Sequence, residues 1–369
     1  MSNADLRYPW EDHPTPGTTI DIAEGVRWLT MPMPGSLSHI NLYLLRDRNG
    51  WWVVDTGLSN GETATVWREV FASALDGLPV VGVLCTHMHP DHIGQAAMIT
   101  EEFHCPLYMT RAEYYQARAF SNNTGAHRSS WIGEDFYIRA GMPRDYLQQL
   151  AAAFEQRSAD SMSMPSMPTG YERLYDGMTL TIGPHQWQVI VGAGHSPEHA
   201  CLYCAALQIM IAGDQILPII TSNVSVHPTE PNANPMKDWM ESHDKFLSTP
   251  PETLILPAHN LPFYGVRERL RELIAHHDDR MLAIEEACTV PMLAKDLLPV
   301  LFARELDPRQ TMMALGEAIA HVHLLMHRNK LERTLHEDGR YRFLSIAPDL
   351  ERRARPGEHD APNDSPVLT

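Results

Sequence analysis

The chain is short of cysteine, of positive charge and of long apolar runs, and each shortage closes a class of function. Five cysteines among 369 residues, odd in number and scattered through apolar segments, do not make a disulfide framework. Cys201 and Cys204 form a CxxC, but three residues apart on a strand-like segment they face opposite sides, so neither a shared metal nor a bridge is expected. Cys85 sits inside an apolar run and reads as core. Lys and Arg number 29 against 46 Asp and Glu, giving a formal net charge of −17, which repels polyanions in the absence of a basic patch. No apolar stretch approaches the roughly 18 residues of a spanning helix, and the first seventeen residues lack a signal-peptide core. These readings predict a cytoplasmic protein with no nucleic-acid or membrane partner.

What the chain does have is histidine, 20 in all. Most read as surface or satisfied core residues: His13, His104, His127, His185, His243, His336, His359, and His276 and His277 in a charge-rich helical run. His321, His323 and His327 lie on one helical pattern, and the last two are spaced i, i+4. The glutamate of an H-E-x-x-H zinc signature is missing there, so no metal is expected.

Thr86-His87-Met88-His89-Pro90-Asp91-His92 is different, with three imidazoles and a carboxylate directly after the β-branched run Val80–Cys85. That run reads as a buried strand, so the ligand types sit on the loop leaving it. In extended chain His87 and His89 project the same way and can grip one ion. Pro90 bends the path, so that Asp91 and His92 can face a second ion roughly 3.5–4 Å away. Imidazole plus carboxylate without thiolate suits zinc best, with iron or manganese as alternatives.

One loop cannot complete two coordination spheres, so further ligands are required downstream. Gly192-Ala193-Gly194-His195, Ile209–Gly213 followed by Asp214, and Leu254–Ala258 followed by His259 each run an apolar strand through a small residue into a ligand. The order HxHxDH, His, Asp, His, preceded by Val53-Val54-Asp55-Thr56-Gly57, resembles the metallo-β-lactamase-fold hydrolase superfamily over about residues 20–265. The resemblance implies an α+β fold, a four-layer αββα sandwich. It also implies that His87, His89 and His195 hold one divalent metal, that Asp91, His92 and His259 hold another, and that Asp214 bridges them. Asp55 would orient loop and ligands from behind.

A hydroxide shared by two cations is a nucleophile at neutral pH, because coordination lowers the pKa of water from 15.7 to about 7. Asp91 is placed to hold and carry its proton, and no serine or cysteine nucleophile is expected. The long loop after Asp214 offers Ser222, Asn223 and His227 as substrate contacts or proton donors, and His199 is a similar candidate.

The expected organisation is a leader over 1–20, a catalytic domain over 21–266, a helical, winged-helix-like domain over 267–348 and a disordered tail over 349–369. A β-meander and the helix Glu62–Leu75 open the catalytic domain, and a helical lid is inserted at 110–170. The lid's Ser161–Pro168 run reads as a loop whose methionines suit an acyl pocket, as do Tyr114, Tyr115, Trp131, Phe136 and Tyr137. Arg111, Arg118, Arg128 and Arg139 could meet coenzyme A phosphates.

The resemblance favours hydrolysis of a small or medium acyl substrate (thioester, lactone or ester) over antibiotic hydrolysis, since many lactamases carry cysteine where Asp214 stands. The alternatives are a single-strand endoribonuclease and an iron-dependent sulfur dioxygenase; a flavodiiron enzyme lacks its flavodoxin-like segment here. A homodimer is a superfamily-level expectation.

Overall fold

The computed structural model describes residues 6–35, 37–121, 131–158 and 165–346. His127, Arg128, Ser161–Met164 of the Ser161–Pro168 run and the expected tail lie outside these residues.

The first sheet opens as an antiparallel meander, β1 (Ile20–Ala23), β2 (Val26–Pro32), β3 (His39–Asp47) and β4 (Gly50–Val54). It is extended in parallel by β5 (Val80–Leu84), β6 (Leu107–Thr110) and β7 (Glu172–Leu174). Helix α1 (Gly61–Ser73) crosses from β4 to β5, with Asn60 accepting the Thr63 amide at 2.8 Å as its cap. The short α2 (Pro90–Ile93) and α3 (Ala96–Phe103) cross from β5 to β6, and α4 (Arg111–Ser121), α5 (Trp131–Arg139) and α6 (Arg144–Ser158) precede β7.

The second sheet runs β8 (Thr179–Ile182), β9 (His185–Gly192), β10 (His199–Cys204) and β11 (Ile209–Gly213) as antiparallel neighbours. After α7 (Pro235–Leu247), β12 (Leu254–Pro257) closes it, parallel to β11.

Apolar side chains on both faces of these strands make the layers. In β4, Trp51 and Val53 face α1 and α3, while Trp52 and Val54 face the second sheet. In β10, Leu202 and Cys204 join that inter-sheet core, whereas Cys201 points outward to Phe246 and Leu270. The two cysteines therefore lie on opposite faces, as their spacing requires. The result is the αββα sandwich.

The remaining chain forms α8 (Val266–Ala287), α9 (Leu298–Leu301), α10 (Pro308–His327) and the hairpin β13 (Leu331–Leu335) with β14 (Tyr341–Ser345). Asp307 starts α10 with a capping box and Pro308 at the first turn.

Two segments dock onto the body of the fold. The polar leader is docked: Leu6 is buried, Arg7 exchanges backbone hydrogen bonds with Tyr264, and Trp10 meets Trp28 edge-on at 5.8 Å. The insertion is also divided. Tyr114 and Met167 pack into the core of the first sheet, while Phe136, Tyr137 and Leu147 pack against the C-terminal helices.

Candidate metal centre

Every clustered ligand type leaves the carboxyl end of a strand: Asp55 after β4, the His87–His92 loop after β5, His195 after β9, Asp214 after β11 and His259 after β12. Parallel β4/β5 and β11/β12 pairs put four of those ends at one edge of the sandwich. Glycines make the close approach possible. Gly213, at φ 51°, leaves no room for a Cβ, which would lie 2.6 Å from the His199 ring; Gly194, at φ 97°, would meet Trp239 at 2.3 Å.

The structure brings seven side chains together in two groups, His87, His89, His195 and Asp214, and Asp91, His92 and His259. In the first, His87 Nε2 lies 2.9 Å from His89 Nδ1 and 3.2 Å from His195 Nε2. Asp214 Oδ2 is 3.3 Å from His195 Nε2. In the second, Asp91 Oδ2 is 3.4 Å from His259 Nε2 and 3.6 Å from His92 Nε2. Asp214 spans both, with Oδ2 3.6 Å from His92 Nε2 and Oδ1 3.6 Å from His259 Nε2.

Hydrogen bonds behind the rings set which nitrogen faces inward. His92 Nδ1 donates to Asp55 Oδ2 at 2.8 Å and His195 Nδ1 to the Asn223 carbonyl at 2.8 Å, leaving each Nε2 lone pair aimed at the cluster. His259 Nδ1 faces the His39 carbonyl at 3.4 Å. Asp55 holds φ 62° and accepts the Thr86 amide at 2.7 Å, which ties the start of the histidine loop to β4.

Burial and the neighbouring histidines hold His87 far below the ordinary range, and burial with His195 brings His89 to about 3. Burial opposes charge on His92 too, but Asp55, Asp91 and Asp214 outweigh it and raise its pKa. His259 is raised the same way by Asp214 and Asp91. Asp91 is drawn down to about 2 against its own burial, chiefly by His92 and His259.

Imidazoles beside ionised carboxylates are a donor set for divalent cations, which bind by displacing the protons that the carboxylates favour on His92 and His259. His92 Nε2 and Asp214 Oδ1 are buried with no hydrogen-bond partner, which leaves both atoms available to a cation.

Several sequence candidates take other roles. His199 is fully buried, and its Nε2 accepts the Asp214 amide at 3.1 Å, a contact that positions Asp214. Ser222 is buried and donates to the Asp214 carbonyl, and Asn223 acts through its backbone on His195. His227 keeps part of its surface in solvent but its ring is packed closely enough that burial, and then His195, lowers its pKa. Arg118 is turned to Tyr114 and the Pro168 carbonyl, and Arg139 to Asp135.

Sequence reading misses Glu113. This buried carboxylate accepts the Met88 amide at 2.9 Å and the Glu198 amide at 2.8 Å, pinning the histidine loop to the start of β10. Its position on a lid helix gives no signal, because both partners are backbone groups far away in sequence.

The Metallo-beta-lactamase superfamily profile matches residues 35–259, and the Metallo-beta-lactamase-like, C-terminal domain profile matches 281–346. Among solved structures, a beta-lactamase domain protein from Burkholderia ambifaria is 39% identical with a TM-score of 0.85, covering 93% of this chain and 99% of that one. A metallo-beta-lactamase family protein from Thermus thermophilus is 25% identical with a TM-score of 0.72, covering 88% and 100%. Linear primary-alkylsulfatase from a Pseudomonas strain is 23% identical over 68% of this chain, which spans only 46% of that relative. A Bacillus subtilis protein named "Probable metallo-hydrolase YqgX" is 23% identical over 63% of this chain and 90% of its own. With the fold, the strand-end histidine and aspartate cluster and the family match in agreement, the chain belongs to the metallo-beta-lactamase superfamily and carries its C-terminal domain.

Proposed function

We propose that the centre holds two divalent cations, zinc by its donor types, and hydrolyses a small or medium acyl substrate such as a thioester, lactone or ester. The observation that supports the binuclear reading is Asp214, whose Oδ2 lies between His195 of one group and His92 of the other while its Oδ1 faces His259. Bound together, the cations would activate a shared water and polarise the substrate oxygen. This chain's residues do the rest. His87, His89 and His195 would hold one cation and His92, His259 and Asp91 the other, with Asp214 between. Asp91 keeps 15% side-chain exposure where Asp214 keeps 4%, which suits it to take the proton of the attacking water. His227, exposed beside His195 and neutral at pH 7, is suited to relay a proton toward solvent or the leaving group.

Among the described residues no helix is long and apolar enough to cross a membrane. The net charge of −17 supports a small-molecule substrate over RNA. The proposal extends to a cytoplasmic homodimer.

The test is metal analysis of the purified protein, followed by a thioester, lactone and ester panel with and without chelator. Two equivalents of metal and chelator-sensitive acyl hydrolysis are expected. Full turnover after metal removal overturns the reading. Likeness to an alkylsulfatase supplies the second reading, so a primary alkyl sulfate belongs in the same panel.

A further inference from the structure

A cavity of about 360 Å³ lies between helix α5 and the C-terminal domain and shares no residue with the metal centre. Its size falls at the lower end of the roughly 300–1,000 Å³ of small-molecule pockets. Trp131, Ile132, Phe136, Ile319 and Phe343 make its walls apolar. Trp131 and Ile132 are 76% and 48% exposed at the mouth, although most large apolar side chains in this protein are buried.

The charge of the pocket runs against that of the chain. Two guanidiniums, Arg139 and Arg333, line it against the single carboxylate of Asp135, in a protein of net charge −17. Asp135 is taken by Arg139 at 2.5 Å. Arg333 lies over the Tyr341 ring at 4.3 Å and makes no ion pair among the described residues. His323, also on the wall, donates its Nδ1 proton to the Ala233 carbonyl at 2.7 Å and adds no charge, since burial lowers its pKa.

We propose that this pocket binds a small amphiphilic carboxylate, its apolar body against Trp131, Phe136 and Ile319 and its carboxylate on Arg333. A stacked guanidinium with free donors is suited to a planar carboxylate, and the aromatic walls lower the local dielectric around the pair.

The test is calorimetric titration of the holoenzyme with octanoate, octan-1-ol and octylamine. Octanoate is expected to bind at least about tenfold more tightly than octylamine, reflecting a charge-assisted contact. Arg333→Glu should weaken octanoate by about tenfold or more while sparing octan-1-ol, and Trp131→Ala should weaken both. Both positions are at least partly exposed, so these variants keep the fold. A His259→Ala protein separates this site from the metal centre, because octanoate binding should survive there. Binding lost in His259→Ala, or unchanged in Arg333→Glu, overturns the proposal.

Discussion

Two groups of buried histidines, built from the same residue types, behave as opposites. At the strand ends, imidazoles converge on Asp91 and Asp214, with Asp55 behind them and no lysine or arginine paired to them among the described residues. In the C-terminal helices, His277 Nδ1 lies 3.0 Å from His321 Nε2, and His321 Nδ1 donates to the Glu317 carbonyl at 2.8 Å. Glu317 there faces Arg280 at 3.4 Å, and Arg280 Nε donates to His276 Nε2 at 2.7 Å. The helical group already contains its cation. His277, Glu317 and His321 are close enough to hold a metal, but the guanidinium supplies the charge that a metal would bring. A histidine cluster becomes a cation site when its carboxylates outnumber its fixed positive charges and its lone pairs converge.

The largest effect expected from this contrast is at Asp214. Asp214→Asn removes the charge shared by both ligand groups, and kcat/KM should fall by at least about a thousandfold, some 4 kcal/mol, with metal lost from the purified protein. His321→Ala should leave metal content and turnover per folded chain unchanged. Elemental analysis of the two variants beside the parent decides it; a metal equivalent lost from His321→Ala alone would erase the distinction.

Next in size is the cation of the helical group. Arg280→Met strands the buried Glu317 carboxylate and removes the donor to His276, so the protein should lose about 3 kcal/mol of stability. Denaturant unfolding measures this. A variant as stable as the parent would mean that the guanidinium does not hold the helices together.

The same contrast explains what can be read from the sequence. The HxHxDH loop, His195, Asp214 and His259 are legible because each ligand follows an apolar strand and a small residue, a local pattern that fixes both element and exit point. The meander, α1 and the helices at 111 and 144 are legible from side-chain periodicity; α5 does not stand out as a separate helix. His199 looks like a substrate contact because its spacing from His195 is local, while its actual partner, the Asp214 amide, depends on β10 pairing with β11. His276 and His277 read as ordinary residues of a charged helix. Their burial depends on α10 packing across them, a long-range contact with no mark in local sequence.

The smallest effect concerns acid. Burial, with Arg280 nearby, holds His276 at about 3 and His321 at about 3, and burial alone brings His243 to about 4. An ordinary histidine titrates near 6.5, so the unfolded chain takes up protons that the folded chain refuses. The contribution of these rings to stability is fully present above pH 6.5 and is lost as pH falls from there toward 4 and 3. The slope is about 1.4 kcal/mol per pH unit for each proton bound on unfolding. The metal ligands complicate this measurement, because acid also displaces cations. The slope should therefore be compared between Asp214→Asn and the same protein carrying His276→Gln. Removing one refused proton should flatten the dependence between pH 6.5 and 4 by about 1.4 kcal/mol per unit. Equal slopes would show that His276 takes its proton within the folded helices, and that Arg280 does not exclude a second positive charge.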